Sequence, residues 1–367
     1  MPDWQLRCEE LASNRRPATV IRPLASHVER RIELPGSTRL LGAQWSPDDG
    51  RLTFLDAEDG QVTTLDGTGK LVSSLGRVGE GPGEFRFSPV YIGSRQKFRA
   101  ASTHRVMVLD DRWAQIFDGV RPVRQVRLDS LAPVLGTDAH VARVSGGWVV
   151  SLARRGQAAL AGAGQVRLFL VPDTSSRSVA VPIARVKNVL GVYPPTAGSI
   201  TAAYPYERLF RRTWDASGHT LALISYRHFA VCFRSIGAPD FWQVWSLTAN
   251  RRRVDAAERD RVLRERFGRS SGPIPMAGGR IEHQYLGKWP AFAPYYHDIT
   301  VLNDSTYATL RLSPIRGTTV DLFSVGRGYL GSVSIPDGRG AIAGYDRGIM
   351  LLDFANGAID FLRVVIP

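Results

Sequence analysis

The chain has 367 residues, 44% hydrophobic and 22% charged, enough apolar material for a large core, which excludes a disordered or low-complexity chain. Lys+Arg is 47 against Asp+Glu 34, a formal charge of +13, and only Lys70, Lys97, Lys187 and Lys288 are lysines. No stretch reaches transmembrane length without charges, and two cysteines, Cys8 and Cys232, exclude a disulfide framework or a cysteine metal site.

In chain order, residues 1–27 read as an extension with a short helical patch at 3–11 and no apolar signal-peptide core. Gln5-Leu6-Arg7-Cys8 makes a poor lipoprotein site, because a bulky Arg precedes the Cys. A strand follows at 28–34. Residues 62–66, a Gly67-Thr68-Gly69 turn and residues 70–75 read as a hairpin. A second hairpin pairs 106–111 with 113–117, and 44 residues separate Leu65 from Leu109, which is the period of a propeller blade.

Between these hairpins lies Gly76-Arg77-Val78-Gly79-Glu80-Gly81-Pro82-Gly83-Glu84-Phe85. Its glycines permit positive φ and close backbone approach, and Glu84-Phe85 adds a carboxylate and an apolar anchor. The competing reading is a phosphate cradle. That requires a helix N-terminus after the loop, whereas Ser88-Pro89-Val90-Tyr91-Ile92 reads as turn then strand. The segment is therefore a junction between repeats.

Later hairpins follow at 166–171 with 178–181, 229–235 with 242–247, and 319–325 with 329–335. Cys232, in an apolar strand, reads as a buried free thiol. Residues 252–268 have the periodicity of a helix, with Asp255 and Glu258 at its start, an apolar side of Ala256, Val262, Leu263 and Phe267, and Gly268 to end it. The last strands are 341–345, 348–352 and 359–366. Residues 55–62 and 352–359 share the form L-D-x-x-[DN]-G-x-[VI], in which Asp56 and Asp353 cap their own turns.

The predicted fold is all-β: a six-bladed propeller of four-stranded antiparallel blades with one rim helix near 254–267. Blades fall near 38–85, 86–130, 131–188, 200–250, 287–336 and 340–367. The last has three strands, and strand 28–36 completes it and closes the ring. Residues 1–27 form the extension, 28–367 the propeller, and 251–286 an insertion within it.

Over 28–367 the chain resembles bacterial six-bladed β-propeller proteins related to NHL repeats. Gly79-Glu80-Gly81-Pro82-Gly83-Glu84-Phe85 is the most specific element, and Gly328-Tyr329-Leu330-Gly331-Ser332-Val333-Ser334-Ile335-Pro336 also fits. Asp111-Arg112 stands where a Gly turn is usual, and Ser102 where the first and last blades carry Asp. The resemblance implies a protein that is often exported or lipid-anchored, and often without an assigned activity.

No histidine pair has metal-ligand spacing, and no serine elbow appears, so neither a metal nor another cofactor is expected. Lactonase-type propellers hold a divalent ion with Glu, Asn and Asp. Of Asn188, Asn250, Asn303 and Asn356, three read as turn residues or a helix lead-in. What remains is a set of loop residues at one channel mouth: Arg105, Arg154, Arg212, Tyr226, Arg227, Tyr296, His297, Asp298 and Arg316. A cationic, aromatic mouth suits a small anionic ligand or a protein partner. The reading is a non-enzymatic binding or scaffold propeller. The alternatives are a lyase or hydrolase built on His297-Asp298, and nucleic-acid binding through a basic face. The arginine excess itself reads mostly as a coding preference for Arg over Lys, because it is spread along the chain.

Overall fold

A computed structural model describes residues 4–14, 22–34, 40–46, 49–56, 58–87, 98–100, 105–110, 113–128, 138–144, 147–153, 165–172, 181–187, 212–214, 220–225, 228–235, 242–248, 253–257, 274–276, 279–281, 296–302, 305–311, 318–335, 339–345, 348–353 and 357–366. The first element is α1 (Trp4–Ser13), and strand β1 (Ser26–Glu33) follows. One antiparallel sheet holds β2 (Leu40–Ser46), β3 (Arg51–Asp56), β4 (Gln61–Leu65) and β5 (Leu71–Leu75). The next holds β6 (Phe98–Ala100), β7 (Arg105–Leu109), β8 (Trp113–Asp118) and β9 (Arg121–Arg127). A third holds β10 (Asp138–Val144), β11 (Gly147–Ala153), β12 (Gln165–Pro172) and β13 (Val181–Lys187), and a fourth holds β14 (Arg212–Trp214), β15 (Thr220–Ile224), β16 (Ala230–Ser235) and β17 (Trp242–Ser246). A small hairpin of β18 (Ile274–Met276) and β19 (Gly279–Ile281) precedes the fifth sheet of β20 (Tyr296–Val301), β21 (Thr306–Arg311), β22 (Thr318–Ser324) and β23 (Gly328–Ile335). The last sheet is β24 (Arg339–Tyr345), β25 (Gly348–Asp353) and β26 (Ala358–Val364), with β1 as its fourth strand.

The fold is an all-β propeller of antiparallel blades. Within each blade the strands lie in sequence order, except that β1 takes the fourth place in the last. The first strands β2, β6, β10, β14, β20 and β24 neighbour one another in that order, and β24 neighbours β2. The chain therefore meets itself at the last blade, where β1 pairs antiparallel with β26 from Ser26↔Val364 to Glu33↔Ala358. This pairing covers an edge that β26 would otherwise expose.

Alternation explains the core. In β7, Met107 and Leu109 face the cluster shared with β11 and β12, while Val106 and Val108 face the cluster that includes Phe85. Each sheet is apolar on both faces because a blade is packed between two others. One predicted strand needs correction. The return strand of the third sheet is Val181–Lys187, not 178–181, and residues 173–180 lie outside the described residues. Of the predicted rim helix, Ala256 and Ala257 are helical, and residues 258–268 lie outside the described residues.

The helix the structure does describe in full is α1, and it is not a loose tail. Blades splay as they leave the ring axis, and α1 fills the wedge between the third and fourth sheets, touching β13, β15, β16 and β17. Its buried Cys8 and Ala12 join Val149 and Leu168 of one sheet and Leu221, Leu223, Ala230, Cys232 and Val244 of the other. Further on, the Leu24 amide donates to Ser332 O (2.7 Å) and the Ser332 amide to Arg22 O (2.7 Å), so residues 22–24 lie along the outer edge of the fifth sheet. The described parts of the extension thus lie against the fourth and fifth sheets, and β1 against the last.

The expectation of a free Cys232 is overturned. Cys8 and Cys232 form a disulfide, with Cα atoms 5.8 Å apart and a separation of 224 positions in sequence. Docking of α1 brings the two within reach, and nothing in the local sequence of either cysteine carries that information.

Several arginines also acquire a structural role. Arg30 lies over Trp45 (4.2 Å) and Phe361 (4.0 Å), Arg143 over Trp148 (4.9 Å), and Arg234 over Trp242 (5.5 Å). A flat guanidinium stacks on a ring in a way a lysine ammonium does not match.

Candidate functional site

Strand direction divides the ring into two rims. The turns between second and third strands, and the junctions from one blade to the next, share one rim. The turns from first to second strand and from third to fourth share the opposite rim.

The glycine-rich segment shows how the junction rim is built. Gly76 has φ +89°, and a Cβ there would lie 2.3 Å from the Phe85 ring. Phe85 is 1% exposed and packs edge-on to Phe117 at 5.6 Å. The loop amides are engaged internally. The Gly79 amide donates to Phe85 O (3.1 Å), that of Phe85 to Arg77 O (2.8 Å), and that of Glu84 to Gly81 O (2.9 Å). The Gly81 amide donates to the Glu84 carboxylate (2.9 Å) and the Gly83 amide to Gln115 Oε1 (3.2 Å). Glu84 therefore stands where a bound phosphate would have to be, which argues against the cradle. The Gly81 amide, then the Arg77 guanidinium, hold the Glu84 carboxyl below its ordinary range.

A recurrent position ends the second strand of the blades, at the same rim. It is Asp56 in the first sheet, Asp110 (not the predicted Ser102) in the second, Ser225 in the fourth, Arg311 in the fifth and Asp353 in the last. Asp56 accepts the Glu58 amide at 2.8 Å, as a turn cap should. Asp110 accepts the Trp113 amide (2.6 Å) and the Gln115 side-chain amide (3.1 Å). The buried Asp353 carboxylate accepts from Arg31 Nη2 (2.9 Å), and Arg31 Nη1 also donates to Asp360 (3.0 Å).

Burial raises the Asp56 carboxyl above its ordinary value. A raised carboxyl contributes its full stability below the unfolded-state value and loses it as pH rises through the folded-state value. The neutral isostere in Asp56→Asn escapes that loss. Its melting temperature relative to the parent should be higher at pH 7 than at pH 4 by about 1–2 °C. Paired thermal melts check this, and a difference that does not grow with pH would sink it.

A dense polar cluster lies just below the junction rim, where the fifth sheet faces the fourth. Arg311 donates to Asp321 through Nε and Nη2, both at 2.5 Å, and Nη2 also reaches Ser332 Oγ at 3.1 Å. Ser332 donates to Asp321 and exchanges a hydrogen bond of 2.5 Å with the Tyr329 hydroxyl. Asp321 is fully buried. Burial works against the Arg311 charge, but the bonds to Asp321 outweigh it and hold the guanidinium protonated. Phe229, from the turn between β15 and β16, lies 4.9 Å from Arg311 and 4.8 Å from the Tyr296 ring. In that turn Ser225 Oγ accepts the His228 amide (2.9 Å) and donates to the buried Glu9 of α1 (2.8 Å).

Two predicted mouth residues are corrected. Tyr296 is fully buried among Phe229, Tyr307 and Phe323, and burial pushes its hydroxyl well above the ordinary tyrosine range. It is a core residue beneath the rim. Arg105 begins β7, a second strand, and pairs with Asp118 at the end of β8, so it sits at the opposite rim. Arg212 is the first residue of β14, and His297 and Asp298 follow Tyr296 in β20, all on first strands at the junction-rim end. Arg154, Tyr226, Arg227 and Arg316 lie outside the described residues.

Sequence reasoning missed Arg311, Asp321 and Ser225. A signal was present: Leu310-Arg311 occupies the place of Leu55-Asp56, Leu109-Asp110 and Leu352-Asp353. The swap of charge calls for an acid on a neighbouring strand. Among the described residues no group of His, Cys, Asp and Glu could hold a metal ion, and no helix is long and apolar enough to cross a membrane.

No protein-family model matches the sequence, and no curated protein matches it. Solved structures do match. A member of the DUF4221 family from Bacteroides vulgatus is similar over 94% of this chain and 98% of its own, at 9% identity and a TM-score of 0.54. The likeness is one of fold. A putative exported protein from Bacteroides fragilis matches over 93% and 95% of the two chains, at 9% identity and a TM-score of 0.49. Virginiamycin B lyase from Staphylococcus aureus matches over 93% and 100%, at 9% and 0.46.

Proposed function

We propose that this chain is a non-enzymatic, six-bladed binding propeller that takes a small anionic ligand at its junction rim. Six four-stranded sheets and the closed succession of their first strands support the blade count. An experimental structure with another number would overturn it.

The binding reading is supported by the place of its cationic and aromatic residues in the chain order, next to strand ends of the junction rim. Arg212, His297 and Asp298 belong to first strands that start there. Tyr226 and Arg227 stand between β15 and β16, Arg316 between β21 and β22, and Arg154 just after β11, so the strands flanking each end at the same rim. Arg311, the last residue of β21, is committed to Asp321. This leaves the loop residues as candidates for ligand contact.

Citrate and inorganic phosphate serve as probes in calorimetric titration. Arg212→Ala and Arg316→Ala should each weaken binding of the better probe by about tenfold or more, since a charge-assisted hydrogen bond contributes about 1.5–3 kcal/mol. Unchanged affinity in both variants would sink the rim assignment. Turnover of a lactone or phosphoester, abolished in His297→Ala, would replace binding with catalysis.

A further inference from the structure

The N-terminal segment is attached to the ring at both ends of its course. At one end β1 is the outer strand of the last sheet. At the other, α1 carries three attachments to the fourth sheet. They are the Cys8–Cys232 disulfide, the packing of Cys8 and Ala12 in the wedge, and the hydrogen bond between Glu9 and Ser225. The last is informative. Glu9 is 7% exposed and Ser225 is fully buried, and Ser225 Oγ is also the acceptor that closes the 225–230 turn through the His228 amide. The Ser225 amide in turn donates to Ala230 O at 3.0 Å. The carboxylate of α1 thus orients the hydroxyl that shapes a junction-rim turn, and that turn sends Phe229 against Tyr296 of the next sheet.

We propose that α1 is a strap fastened by oxidation, and that the fastened strap positions Ser225 and the backbone of residues 228–230 that bonds to it. In the fastening step the thiols of Cys8 and Cys232 lose two protons and two electrons and form one S–S bond. A disulfide-bearing oxidant accepts them and is left as a dithiol, by exchange through a mixed disulfide. Both half-cystines are fully buried in the finished fold, so the bond forms as α1 docks and is then shielded from solvent reductants. It acts as a structural staple, and the chain reaches its working form where such an oxidant is available. The inference deepens the reading of the junction rim as the binding end. It rests on that reading for its consequence, but its test uses no ligand.

Protein folded under oxidising conditions is denatured in an alkylating reagent without reductant. The expected result is no labelled thiol, and two labelled thiols would overturn the fastening step. In the double variant Cys8→Ser, Cys232→Ser, tryptic cleavage after the exposed Arg7 should quicken by about tenfold or more, because α1 opens locally without unfolding the ring. A rate equal to that of the parent would show that packing alone holds the helix and would overturn the strap. Glu9→Ala keeps the disulfide and covers the case in which the double variant does not fold. Its amide exchange at Ser225 and at 228–230 should rise several-fold while cleavage after Arg7 stays unchanged. Exchange equal to the parent's would overturn the positioning of the turn. A failure to bind citrate or phosphate leaves all of these outcomes readable.

Discussion

Asp321→Ala should lower the free energy of unfolding by about 3–5 kcal/mol, the cost of leaving a partly buried guanidinium without its partner. The carboxylate is fully buried and accepts two hydrogen bonds of 2.5 Å from Arg311, with a further one from Ser332. Its removal leaves Arg311, only 21% exposed at its side chain, facing Phe229 and the Ser332 hydroxyl. A second variant separates the loss of the pair from the loss of one partner. Asp321→Ala combined with Arg311→Met removes both charges and should recover about 1–3 kcal/mol of the loss. Urea denaturation of the parent, both single variants and the double variant reads the cycle. A single-variant loss below about 1 kcal/mol would mean that the pair is effectively solvated.

Phe85→Ala should cost about 3–5 kcal/mol, the range for deleting a buried aromatic. The ring fills the seam between the first two sheets with Leu55, Val62, Phe98, Val106, Val108 and Phe117. It also anchors the junction, since its amide and carbonyl bond to Arg77 and Gly79. Phe85→Leu keeps most of the volume and should lose roughly half as much. Urea midpoints at an unchanged slope check both, because a changed slope would point to a shift in the unfolded or native ensemble instead. Near-equal midpoints for Phe85→Ala and the parent would mean that the junction does not depend on its aromatic anchor.

How much of this molecule could be read from its residues varies with the range of the interaction. The hairpins β7–β8 and β22–β23 were readable because each is an alternating apolar run with a turn between. Gly326 and Gly328 adopt positive φ in the second of them. The role of Phe85 was readable because the glycines around it allow close approach and the aromatic that follows needs a place to bury. Arg105 was misplaced for a physical reason. The hairpin 106–111 with 113–117 reads as a repeat of 62–66 with 70–75, a third and a fourth strand, which puts Arg105 in a loop between second and third strands. In the fold β7 and β8 are the second and third strands of their sheet, because the three-residue β6 (Phe98–Ala100) is too short to show alternation. Tyr296 was misplaced because the sequence beside it, Tyr295-Tyr296-His297-Asp298, reads as a polar loop. In the fold Tyr296 is the first residue of β20, and its ring turns into the space between two sheets.

By itself the sequence determined the all-β propeller, the junction at 76–85 and the pairing of an N-terminal strand with the last blade. These rest on local periodicity and turn chemistry, although Leu65 and Leu109, 44 residues apart, lie on a third and a second strand and so do not mark equivalent places in two blades. Only the tertiary structure decided that Cys8 meets Cys232, that Arg311 pairs with Asp321 across two strands, and that Glu9 reaches Ser225. Cys8–Cys232 and Glu9–Ser225 join residues more than two hundred positions apart. They become neighbours once the ring has closed and left a wedge for α1 between the third and fourth sheets. Arg311 and Asp321 are ten residues apart, yet their pairing depends on strand register and on which face of the sheet turns toward the fourth blade.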